Sequence, residues 1–207
     1  MKSNQIKKMV LLSLFITIEI VLTMTPLGFI ALGPIRSTTL HIPVILAGLL
    51  LGYKEGFIVG GVFGLLSIIV NTFSPTPTSF VFSPFYSLGE INGNVFSLLI
   101  ALVPRILLGG VPVFISRCLS KLKSEQVRIF MSAALASFIH TCMVMMGIYF
   151  FFGQSYAAVK EVAYSQILGL IQGVIFTNGL MEMFVGAIIV TAVYQAVSRT
   201  MKGQRKV

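Results

Sequence analysis

Six stretches of the chain are almost continuously apolar, and the polar residues collect between them. They lie near Met9 to Thr25, Ile42 to Leu51, Gly56 to Asn71, Gly93 to Leu119, Val127 to Phe152 and Gln166 to Val197. A helix needs roughly 20 apolar residues to cross the hydrocarbon of a bilayer, and fewer inside a bundle. The pattern therefore predicts an all-α integral membrane protein with six transmembrane helices, residues 1–207 forming a single membrane domain. The second and third stretches are short, and one re-entrant hairpin made from both is the alternative. The longest polar-aromatic segment, Asn71 to Phe85 (NTFSPTPTSFVFSPF), separates the third stretch from the fourth. Irregular backbone survives at membrane depth only where it is buried in protein or lines a watery cavity, which makes this segment the first candidate for a binding site.

Composition supports the spans. With 56% hydrophobic and 10% charged residues and a mean hydropathy of +0.96, the chain is not a soluble globule around one core. The first stretch follows Lys7 and Lys8 as a secretory signal would, but no A-x-A site follows it, so an uncleaved helix is expected. Short basic tails, 1–8 and 199–207, leave no separate soluble domain. The net charge of +9 does not mark a nucleic-acid partner, because the basic residues cluster at the ends of apolar stretches. Twelve of them (Lys2, Lys7, Lys8, Lys54, Arg117, Lys121, Lys123, Arg128, Arg199, Lys202, Arg205 and Lys206) fall on one side of a six-span arrangement, and the opposite loops hold only Arg36 and Lys160. Both termini are therefore expected in the cytoplasm of a multi-pass cell-membrane protein. Glycines at 48, 52, 56, 60 and 64 recur every four residues and predict close helix packing.

Little of this sequence suits catalysis. Cys118 and Cys142 match no metal or redox spacing, and no cluster of His, Cys, Asp or Glu predicts a metal or cofactor site. Ser67 or Ser137 with His140 is the nearest approach to a hydrolytic pair, without a nucleophile turn or an oxyanion-hole signature. No G-x-x-x-x-G-K-[ST] loop is present for ATP hydrolysis. Glu19, Arg105 and Glu182 are the ionisable residues deep inside apolar stretches, where each calls for a partner or a function. Glu19 lies roughly 15 Å along its helix and Arg105 a comparable distance along its own, so a meeting near the midplane is expected. Two readings of Arg105 stand: a clamp within the bundle, or an anchor for an anionic ligand. The outer loops carry hydroxyls, rings and amides (Arg36 and His41 in the first, Ser79, Phe80, Phe82 and Phe85 in the third, with Asn71, Asn92, Asn94 and Asn178 nearby), a mixed surface suited to a small amphipathic molecule.

Three stretches, HIPVILAGLLLG (His41 to Gly52), FGLLSIIVNTFSPTPTSF (Phe63 to Phe80) and VPRILLG (Val103 to Gly109), resemble the substrate-binding S component of energy-coupling factor (ECF) vitamin transporters. The resemblance runs over nearly the whole chain and is closest to pantothenate-specific members, chiefly through the Asn71 to Phe85 segment. It implies a subunit that is not itself an enzyme. Such a subunit captures a vitamin beneath its outer loops, docks on a transmembrane coupling subunit (EcfT) with two cytoplasmic ATPases (EcfA and EcfA'), and topples in the membrane to release cargo inside. The family's A-x-x-x-A docking face on the first helix falls here at Ser13 and Thr17. Arg36, His41, Asn71, Ser79, Arg105 and Asn178 would supply the polar part of a pantothenate site, with Phe80, Phe82 and Phe85 as wall or lid. Riboflavin, pyridoxine and hydroxymethylpyrimidine remain alternative cargoes, and a membrane hydrolase or an assembly factor the alternatives outside transport.

Overall fold

A computed structural model describes residues 2–32 and 35–203, with side chains placed over 5–26 and 38–200. Seven α-helices follow the apolar stretches: α1 (Lys2–Met24), α2 (His41–Leu51), α3 (Tyr53–Phe73), α4 (Val95–Cys118), α5 (Glu125–Val159), α6 (Ile167–Val174) and α7 (Leu180–Gly203). A π-helical turn, Ile175–Gly179, joins the last two without a break, so they form one rod from a single sequence stretch. Four helical rods, 53–73, 95–121, 125–159 and 164–200, are long and apolar enough to cross a membrane. In α1 the apolar run is flanked by Lys7 and Lys8 and interrupted by Glu19, and α2 has only 11 residues. Large apolar side chains such as Leu65, Phe114, Met146, Phe150 and Ile188 stand exposed along the rods, as they would against lipid tails.

The helices are placed by close backbone contact. Gly52, at φ 115°, breaks the chain between α2 and α3, and its N–H still closes on Gly48 O at 2.9 Å. Non-glycine residues rarely adopt that backbone. The four-residue glycine repeat then faces α4: a Cβ at Gly48 or Gly56 would lie 2.2 Å from Gly109 O, and one at Gly60 would lie 2.2 Å from Arg105 O. The repeat thus fixes the height and rotation of α4, including the turn that carries Arg105. One apolar cluster, built on Val44, Ile45, Val59, Leu108, Ile129 and Val190, joins α2, α3, α4, α5 and α7. A second, with Phe80, Ile100, Ile148, Phe152 and Ile171, packs the 79–81 turn against α4, α5 and α6.

The expected loops have structure of their own. Two short strands, β1 (Phe29–Leu32) and β2 (Ile35–Thr38), pair antiparallel with Phe29 opposite Thr38. A shorter pair, β3 (Ser87–Leu88) with β4 (Ile91–Asn92), leads into α4. Asn94 caps that helix: its Oδ1 accepts from Phe96 N at 2.8 Å, and Ser97 Oγ accepts from Asn94 N at 3.0 Å. Ser97 Oγ also donates to Phe80 O at 2.7 Å, which pins the third outer segment to the head of α4.

Candidate binding cavity

A cavity of about 310 Å³ opens among α1, β2, α3, α4, α5 and α7, at the low end of the roughly 300–1,000 Å³ usual for small-molecule sites. Its apolar wall comes from Leu40, Phe63, Val70, Phe82, Val144 and Met145. The polar lining is Thr23, Thr38, Ser67, Asn71, Ser74, Thr76, Arg105, His140, Thr141 and Glu182. Helical spacing explains much of this set. Phe63, Ser67, Val70, Asn71 and Ser74 step along one face of α3, and His140, Thr141, Val144 and Met145 along one face of α5.

Arg105 is held by its own neighbours. Pro104 has no N–H, so Ile100 O, four residues back, loses its helical donor, and Arg105 Nη1 donates to that carbonyl instead. The guanidinium carbon sits 5.0 Å from the centre of the Phe82 ring and 5.5 Å from that of Phe63, over both faces. Contacts of this kind are worth roughly 0.5–2 kcal/mol each. Arg105 Nε is buried and has no hydrogen-bond partner within the described chain, as are Thr23 Oγ1 and His140 Nε2. All three residues line the cavity. A buried polar group left unpaired costs roughly 1–3 kcal/mol, so these three residues carry an uncompensated cost beside the cavity.

The third outer segment is knitted to α3 by two buried serines. Ser79 Oγ donates to Asn71 Oδ1 at 2.7 Å and accepts from Thr76 N at 2.9 Å. Ser83 Oγ shares a 2.7 Å hydrogen bond with Thr72 Oγ1. Asn71 Nδ2 donates to Ser67 O at 2.8 Å, which leaves its second N–H free for the cavity. On the far wall, Glu182 Oε1 accepts from Thr38 N at 2.8 Å and from Thr38 Oγ1 at 3.0 Å, tying the strand pair to α7.

Of the residues singled out in the sequence, Asn71, Phe82 and Arg105 line the cavity. Ser79 stands behind Asn71. Phe80 is fully buried and meets Phe152 edge-on at 5.7 Å, as part of the second apolar cluster. His41 is buried against α7, where a Cβ at Gly186 would meet its ring. Phe85 is 77% exposed, and Asn178 is half-buried on the π-helical turn. The side chain of Arg36 lies outside the described residues. The expected meeting of Glu19 with Arg105 is not found: Glu19 is fully buried with both oxygens unpartnered, and Arg105 engages Ile100 O and two rings. Glu182, His140 and Phe63 enter the lining although sequence reasoning had not placed them there; following the face of Asn71 back by four and eight residues reaches Ser67 and Phe63. His140 Nε2 accepts from no serine hydroxyl, so a hydrolytic pair is not assembled around it. No metal-binding cluster occurs among the described residues. Ser13 and Thr17 lie exposed on α1, each hydroxyl donating at 2.9 Å to the carbonyl four residues back.

The family model described as "ECF transporter, substrate-specific component" matches residues 7–194. The pantothenic acid transporter PanT of Lactococcus lactis subsp. cremoris is 32% identical over 202 residues, covering 96% of this chain and 97% of that protein. The pantothenate transporter PanT of Leuconostoc mesenteroides subsp. mesenteroides is 25% identical over 205 residues, covering 93% of each.

Proposed function

Since the chain belongs to the family of substrate-specific components of ECF transporters, a family of transport subunits embedded in the membrane, we propose that it is the pantothenate-binding subunit of an ECF importer. The observation that carries this reading is the guanidinium of Arg105, held by Ile100 O and two rings, in the lining of a small cavity of mixed polarity. Pantothenate has one carboxylate, one amide, two hydroxyls and a compact dimethyl carbon. Arg105 takes the carboxylate and Asn71 the amide, and the dimethyl carbon packs on Val70, Val144 and Met145. Ser79 holds Asn71 in position, Phe80 backs the loop, and Phe82 forms the wall. Arg36, His41, Phe85 and Asn178 complete the proposed set. The names of the two relatives support the same cargo. Pyridoxine and hydroxymethylpyrimidine offer no carboxylate for the buried cation. Riboflavin needs flat aromatic surface, and Arg105 itself covers one face of Phe63 and one of Phe82.

In this reading α1, α2 and the four long rods make six crossings with both termini cytoplasmic, consistent with the one-sided basic residues. The docking face for the coupling subunit is the side of α1 that carries Ser13 and Thr17. Their hydroxyls are spent on backbone carbonyls, so the face presents small groups between exposed Val10, Leu14 and Val21. Two partner ATPases supply the energy, and the loaded subunit topples to discharge inward. Proteoliposomes containing the chain, its coupling subunit and both ATPases should accumulate labelled pantothenate only when ATP is supplied on the ATPase side. Equal accumulation in vesicles lacking this chain would contradict the proposal.

A further inference from the structure

Arg105 and Glu182 line one cavity, yet no ion pair joins them among the described residues. Opposite charges in a poorly hydrated site attract strongly, and each is kept from the other by its own partners. Arg105 is anchored by Ile100 O and two rings on the α3–α4 side; Glu182 is anchored by Thr38 on the α7 side. The cavity is therefore bipolar, with a fixed donor on its α3–α4 side and a fixed acceptor on its α7 side.

Thr38 supplies two hydrogen bonds to a single oxygen of Glu182, and both reach Oε1. An ionised carboxylate accepts about four hydrogen bonds, so acceptor capacity remains for a ligand. A second carboxylate in the ligand would meet like charge there, and an apolar end would bury the acceptor without a donor. We infer that Glu182 is a specificity-determining residue that reads the hydroxyl-bearing end of the cargo, and that Thr38 is the positioning residue that aims it. The substrate class is then a monocarboxylate with hydrogen-bond donors at the end remote from its acid. This inference rests on the pantothenate reading and adds the group that distinguishes pantothenate from an unhydroxylated acid of the same shape.

The test compares two probes by calorimetry on the purified full chain in detergent: pantothenate, and its dideoxy analogue that keeps the carboxylate, amide and dimethyl carbon but lacks both hydroxyls. Replacing a charged acceptor by a neutral one weakens a hydrogen bond by about half. Glu182→Gln should therefore weaken pantothenate binding about tenfold and change analogue binding less than twofold, shrinking the wild-type preference for the hydroxylated acid. Thr38→Val, which keeps the backbone N–H bond, should shrink the same preference two- to threefold. Equal losses for both probes in Glu182→Gln, with a wild type that prefers pantothenate, would overturn the inference and leave Glu182 as a support for the strand pair. A wild type that binds neither probe would instead overturn the pantothenate reading beneath it.

Discussion

Gly60 and Gly61 are neighbours in the middle of α3, and alanine at each should have different effects. A Cβ at Gly60 would lie 2.2 Å from Arg105 O and 3.0 Å from Ile106 Cα, whereas a Cβ at Gly61 meets nothing within 4 Å. Carbon-to-carbonyl contacts are comfortable at about 3.3–3.6 Å, so Gly60→Ala must drive α3 and α4 apart by about 1 Å at the turn that carries Arg105. Overpacking of this kind costs roughly 1–3 kcal/mol. Both substitutions share a gain of roughly 1 kcal/mol from the better helix propensity of alanine, so propensity cancels from the comparison. Gly61→Ala should be neutral or stabilising, and Gly60→Ala should fall below it by the overpacking cost alone. For a chain of this size that is a gap of roughly 2–12 °C in Tm, measured in detergent by thermal unfolding followed with circular dichroism. The displaced Arg105 should also lower pantothenate affinity in Gly60→Ala but not in Gly61→Ala. Coincident melting of the two variants would refute the argument that the glycine repeat sets the α3–α4 spacing.

Arg105→Met keeps an unbranched apolar stem but removes the cation and the bond to Ile100 O; it should weaken pantothenate binding by about 10- to 100-fold, from a charged hydrogen bond worth roughly 1.5–3 kcal/mol. A thermal melt of the ligand-free variant separates lost recognition from lost folding, and unchanged affinity with unchanged Tm would remove Arg105 from the site. Ser13→Leu or Thr17→Leu should weaken co-purification with the coupling subunit and leave vitamin binding intact, and equal loss of both activities would place these residues in the fold instead. Lys8→Ala breaks an exposed 3.2 Å pair with Glu55 and a 2.9 Å bond to Leu51 O; it should cost no more than about 1 kcal/mol in a denaturant titration, and a larger loss would show that α1 depends on this contact.

The helices were legible because hydrocarbon imposes one rule on every crossing segment: all six apolar stretches are helical, and four of them form rods long and apolar enough to cross a membrane. The glycine repeat was legible for the same reason: backbones that touch exclude side chains, and the residues they touch at Gly109 and Arg105 lie on the adjacent helix. Loop residues were harder to read. The hydroxyls and amides of the Asn71 to Phe85 segment suggested ligand contacts, but Ser79 and Ser83 are spent on holding the segment against α3. Composition does not distinguish a hydroxyl that binds cargo from one that ties a turn. Glu182 was visible as a costly intramembrane charge, yet its partner Thr38 is 144 residues away, in a strand pair that local sequence did not announce. Glu19 was expected to find Arg105 because both were placed by depth alone. Depth says nothing about rotation around a helix axis, and Arg105 is turned toward its own Ile100 carbonyl by the proline beside it.

The most direct measurement is calorimetric titration of the chain, purified alone in detergent, against pantothenate, riboflavin, pyridoxine and hydroxymethylpyrimidine. The account predicts tight one-to-one binding of pantothenate and none of the others. Tight binding of a different vitamin, or of no vitamin in the panel, would contradict it.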